Sequence, residues 1–185
     1  MRFTFRPFPE LPEVVLVGPR VHRDARGWFV EGWREDEFRN AGIDATFVQD
    51  NHSRSDFRGV LRGLHLQVPP MAQGKLVRCT RGAIFDVAVD VRVGSPTFGR
   101  AVSATLTGED LRMLWVPEGF AHGFQVVEAP AEVEYKVTRF YSPAHERCIR
   151  WDSAGIAWPV RDAIVSEKDA KGVALADFEG VARSA

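Results

Sequence analysis

The chain has 185 residues, 45% of them hydrophobic and 26% charged, with a net charge of −1. That length suits one domain spanning 1–185, with apolar residues enough for a core. The near-zero charge excludes a basic field for wrapping nucleic acid, and no apolar run approaches the length of a membrane span.

The N-terminal stretch MRFTFRPFPELPEVVLVG carries prolines where a secretory signal needs an unbroken apolar run, which favours a cytoplasmic protein. PEVVLVG (12–18) is the first expected strand, and REDEFRNAG (34–42) reads as a short helix ending at Gly42. Strands are then expected at ATFVQDN (45–51), GVLRGLHLQ (59–67) and KLVRCT (75–80), followed by AIFDVAVDVRV (83–93) and AVSATLT (101–107). RMLWVP (112–117), AHGFQVV (121–127) and EVEYKVTRFY (132–141) complete the series, with a second helical segment near 166–178. Many short strands punctuated by glycine and proline predict an all-β sandwich or barrel with a few short peripheral helices. In AIFDVAVDVRV, strict alternation puts Phe85, Val87, Val89 and Val91 on a buried face and Asp86, Asp90 and Arg92 on the other. Cys79 and Cys148 lie far apart with no CxxC spacing, so neither a disulfide framework nor a zinc ribbon is expected, and a reducing compartment fits.

GVLRGLHLQVPPMAQGKLVR (59–78) raises the functional question. Alternation sets His65 and Gln67 on one face of the first strand, and Lys75, Val77 and Cys79 on one face of the next. If the two strands pair, His65 and Lys75 point into the barrel together. A buried lysine is costly without an anion nearby, so its position argues for a ligand that is anionic or becomes so. Taken alone, His65 reads as a core histidine, and Lys75 equally as an edge charge. Tyr135, on the face of Val133 and Val137, and His122, between Gly119 and Gly123, supply the company that favours a proton-transfer site. Arg62 has the wrong parity to join His65: it serves the outer face, or Gly63 marks a bulge that turns it inward. A barrel metal held by a His-x-His pair is not expected, because the second position here is Gln67 and Lys75 adds positive charge.

The segments DARGWFVEGW, FVQDNHS, GVLRGLHLQ, AQGKLVR, FDVAVDVRVGSPTFG, LWVPEGFAHGF, EYKVTRFYSP, IRWD and SEKDA, in this order and spacing, resemble the dTDP-4-dehydrorhamnose 3,5-epimerase family over nearly the whole chain. The resemblance implies a cupin jelly-roll barrel, usually a homodimer, that acts without a cofactor on a dTDP-linked 4-keto-6-deoxyhexose in L-rhamnose precursor synthesis. It also implies His65 as the catalytic base, Asp169 as its orienting partner, Lys75 beside the reacting ketone and Tyr135 as the general acid. Arg26, Glu31, Gln49, Asn51, Arg62 and His122 resemble the nucleotide and phosphate contacts. Two departures stand out: Leu66 replaces the family's usual aromatic, and Phe140 stands where many relatives have tyrosine. By parity Leu66 faces away from His65, which implies a packing change only. Phe140 places polar ligand contacts in doubt.

Overall fold

The structure, a computed structural model, describes residues 2–182. Eleven strands dominate it: β1 (Phe3–Phe8), β2 (Leu11–Pro19), β3 (Val21–Asp24), β4 (Gly27–Val30), β5 (Gln49–Ser55), β6 (Leu61–Gln67), β7 (Lys75–Asp90), β8 (Ala101–Thr107), β9 (Met113–Val116), β10 (Phe120–Val137) and β11 (Glu146–Cys148). Helices are confined to α1 (Glu35–Asn40), α2 (Glu167–Ala170) and a 3-10 turn at Leu175–Asp177. Among the described residues no helix is long and apolar enough to cross a membrane.

Nine strands form one sheet whose main path runs β1-β2-β9-β7-β10-β6-β11, with β5 on β10 and β8 on β7. The two longest strands carry it: β7 and β10 pair antiparallel from Phe120 opposite Asp90 to Val137 opposite Lys75. The sheet encloses a core of Val77, Cys79, Ile84, Ala88, Leu106, Leu114, Phe124, Val126 and Val133. Outside it, Leu64, Leu66, Val87, Val89 and Ile149 pack under the C-terminal tail, and Phe3, Phe38, Leu76 and Trp115 pack under α1. Strands β3 and β4 form a separate hairpin with Trp28 and Phe29 exposed.

Four expectations need correction. KLVRCT and AIFDVAVDVRV are one strand, as are AHGFQVV and EVEYKVTRFY as far as Val137. Gly82 and the Ala129–Pro130 stretch punctuate them as bulges in the β7–β10 ladder, not as turns. Each irregularity inverts side-chain parity. On β7 the inward residues are Val77 and Cys79 before Gly82 but Ile84 and Ala88 after it, and on β10 they pass from Phe124 and Val126 to Ala131 and Val133. The face of AIFDVAVDVRV that was expected to meet solvent therefore points inward, and Asp86 and Asp90 are fully buried. Strand β6 does not pair with β7, since β10 lies between them. The ATFVQDN strand starts later, at Gln49, where Val137 first offers it a partner.

Candidate active site

His65 comes from β6, Lys75 from the start of β7, Tyr135 from β10 and Asp169 from α2. Lys75 reaches His65 across the barrel, Nζ donating to the His65 carbonyl at 3.1 Å. Asp169 is delivered by the tail. Ile164 bridges Val60 beside β6, and Ser166 caps α2 by accepting the Asp169 amide at 3.1 Å. The Asp169 carboxylate then accepts from His65, Nε2 to Oδ1, at 2.5 Å. Burial alone would raise the Asp169 pKa, but the bonds from His65, Ser166 and the Gly63 backbone hold it below the usual value. With Asp169 ionised, the His65 proton sits on Nε2 and the lone pair on Nδ1.

A bulge brings Arg62 inward. His122 pairs with His65 and Phe124 with Arg62, leaving Gly63 and Leu64 opposite Gly123 alone. The strands approach so closely there that a Cβ on Gly63 would lie 2.6 Å from the Gly123 Cα, and Gly63 has φ +134°. Arg62 and His65 thus line one cavity of about 510 Å³ with Lys75, His122, Tyr135 and Asp169. A second cavity, of about 310 Å³, shares His65, Lys75 and Tyr135 and adds Gln49, Asn51, Tyr141 and Glu146. A third cavity, about 610 Å³, lies along Trp33, Arg78, Glu134 and Lys136; it shares Asn51 and Tyr135 with the others but includes neither His65 nor Lys75.

Full burial lowers the Lys75 pKa to about 8, with Asp86 and Glu146 pulling it back up. Burial also raises the Tyr135 pKa, opposed by Arg62. His122 is held by Asp86, Nε2 to Oδ1 at 2.7 Å, both in the barrel interior.

Of the expected residues, eight meet around these cavities: His65, Asp169, Lys75, Tyr135, Arg62, His122, Gln49 and Asn51. Arg26 and Glu31 do not. Arg26 is exposed in the β3–β4 hairpin and paired with Asp24, while Glu31 pairs with Arg2. Sequence reasoning missed four others. Ser53 lines the cavity of about 510 Å³, with its Oγ buried and no protein partner. Glu146 gathers the rim, accepting from the Tyr141 hydroxyl at 2.9 Å and pairing with Lys168 at 2.5 Å. In TRFYSP, strand alternation stops where β10 ends at Val137, and Tyr141 rather than Phe140 joins the cavity wall. Leu66 is buried in the outer core, as parity implied. Gln67 is committed to backbone: it donates to the carbonyls of Met71 and Phe140 and accepts from the Ser142 amide.

A family model described as dTDP-4-dehydrorhamnose 3,5-epimerase matches residues 9–177. A protein of that name from Pseudomonas aeruginosa is 54% identical over 91% of this chain and 94% of its own, and one from Methanothermobacter thermautotrophicus is 47% identical over 86% and 88%. Among solved structures, a dTDP-6-deoxy-D-glucose-3,5-epimerase from Legionella pneumophila, in complex with dTDP-4-keto-L-rhamnose, has a TM-score of 0.93 at 40% identity, covering 99% of this chain and 100% of its own. A 3′-monoepimerase from Streptomyces bikiniensis, in complex with dTDP-quinovose, has a TM-score of 0.86 at 34% identity, covering 92% and 87%. The β-barrel is of the cupin type, and the chain belongs to the dTDP-4-dehydrorhamnose 3,5-epimerase family.

Proposed function

We propose that this protein epimerises dTDP-4-dehydro-6-deoxy-D-glucose at C3 and C5 to dTDP-4-dehydro-L-rhamnose. The observation that carries the mechanism is the 2.5 Å His65–Asp169 pair in a cavity also walled by Lys75 and Tyr135. The C4 ketone acidifies the protons on both neighbouring carbons. His65 Nδ1 removes one, and Asp169 steadies the imidazolium that forms. The charge moves to the C4 oxygen as an enolate, an anion absent from the ground state. Lys75, protonated below about pH 8, stabilises that anion selectively. Tyr135 stays a neutral phenol, since burial raises its pKa, and returns a proton to the opposite face. The Arg62 guanidinium beside it favours the phenolate that results. A proton leaves and a proton returns, so the route needs no redox cofactor. Arg62, His122, Gln49 and Asn51 hold the nucleotide and phosphate end, and Ser53 offers a further hydroxyl.

Arg26 and Glu31 lie outside the cavities that His65 lines. We infer a homodimer in which each subunit lends them to its partner's site. Mixing Arg26→Ala with His65→Ala subunits should restore activity, because one site in each mixed dimer then has a full set. Two inactive proteins that stay inactive after exchange would remove the shared-site reading.

Proton NMR of the product tests the reaction, with a strong chelator present and no cofactor added. Inversion at both carbons is expected. Inversion at one carbon alone would make this protein a single-centre enzyme, and no turnover without a divalent ion would end the metal-free route.

A further inference from the structure

We propose that His65, Cys148 and Asp169 form a binding site for a thiophilic divalent cation of the zinc class, and that filling it switches His65 off. Nothing in the proposed reaction uses Cys148. Its β11 position lies directly opposite His65 in the β11–β6 register. Donor atoms of the three residues all lie within 4.8 Å of one another. Cys148 Sγ stands 3.7 Å from Asp169 Oδ1, and its remaining contacts, at 3.8 Å to the Lys168 carbonyl and 4.0 Å to the Ile149 carbonyl, are long. The thiol is thus held by weak contacts only, the shortest of them to Asp169 itself, and it is partly exposed.

Tetrahedral zinc bonds of roughly 2.0–2.3 Å set neighbouring donors about 3.3–3.7 Å apart. The sulfur–oxygen spacing already meets that, and the 2.5 Å His65–Asp169 distance needs to open by less than about 1 Å. One nitrogen, one sulfur and one oxygen donor select zinc or cadmium over magnesium or calcium. Three protein donors leave a fourth position for water. The nearby Lys168 ammonium is already paired with Glu146. The site differs from a cupin metal held by His-x-His, since Gln67 contributes nothing to it.

Binding shifts protons and moves no electrons. The Cys148 thiol gives its proton to buffer, and the His65 Nε2 lone pair goes to the metal. The ring proton then sits on Nδ1, where the proposed base needs a lone pair. That consequence rests on the mechanism above, whereas binding itself does not.

The test titrates untagged protein with cadmium and follows the sulfur-to-metal charge-transfer absorption in the ultraviolet. One equivalent should produce the band, and Cys148→Ala should abolish it. Cys148→Ser serves as a second variant, with circular dichroism as the folding control. No band in the native protein, or an undiminished band in both variants, overturns the site. In parallel, zinc should inhibit the native enzyme reversibly to chelator. The variants should stay active without metal and need about 100-fold more zinc for the same inhibition. Stoichiometric binding with full activity would leave the site standing, refute the switch and count against His65 as the base.

Discussion

Lys75→Met should stabilise the protein while disabling it. The lysine is fully buried, and its pKa falls from 10.5 to about 8. That depression corresponds to roughly 3 kcal/mol of destabilisation whenever the native lysine is charged. Methionine removes this penalty at similar volume but forfeits the bond from Nζ to the His65 carbonyl, about 1 kcal/mol. A net gain of about 2 kcal/mol near neutral pH remains. The sign with pH follows from proton counts. Between about pH 8 and pH 10.5 the unfolded chain binds more protons at this residue than the folded one, so native stability rises with pH there. The advantage of the variant should therefore be full below about pH 8 and gone above pH 10.5. Urea unfolding of both proteins at several pH values, at one protein concentration, reads this directly. Other groups that titrate in the window are common to both proteins and cancel in the difference. Turnover should fall by about 10²–10³, the usual effect of losing a donor to a developing oxyanion. A less stable variant at neutral pH, or an advantage that does not shrink by pH 10.5, would refute the reasoning.

Asp169→Asn should fold, yet lose roughly 10²–10⁴ in turnover as His65 loses its orienting anion. The Asp169 pKa is lowered in the folded state, so its stabilisation is present above the unfolded value and lost as pH falls through the folded one. Acid unfolding of the variant should show a flatter limb, and an unchanged limb would contradict the pairing. Tyr135→Phe should still wash deuterium into the substrate while inversion falls by about 10²–10⁴. Equal, small losses in both would make Tyr135 a packing residue. Gly63→Ala should fail to fold or lose several kcal/mol, because its Cβ would meet the Gly123 backbone at 2.6 Å in a φ +134° residue. Near-native stability in thermal unfolding would count against the bulge.

Local pattern and global face diverged in an instructive way. Lys75, Val77 and Cys79 share a face with no irregularity between them, and so do Val133, Tyr135 and Val137, so alternation placed both sets inward correctly. At Gly82 and Pro130 the same rule failed, because a bulge shifts parity by one and a glycine or proline in sequence does not distinguish a bulge from a turn. Asp86 shows the cost: a carboxylate expected at the surface is the buried partner of His122. Gly63 could be read either way, and only the pairing with Gly123 decided that Arg62 joins His65. Glu146 and Lys168 were invisible because a three-residue strand and a one-turn helix carry no periodicity. Arg26 and Glu31 were legible as motif residues, but no periodicity in the sequence shows that the fold sets them away from the His65 cavities.

In the proposed mechanism one base, His65, opens both stereocentres through the C4 ketone. The direct measurement incubates native protein and His65→Ala with dTDP-4-dehydro-6-deoxy-D-glucose in deuterated water and follows C3 and C5 by NMR. Deuterium should enter at both carbons with the native enzyme and at neither with the variant. Exchange at either carbon at near the native rate in His65→Ala would contradict that mechanism.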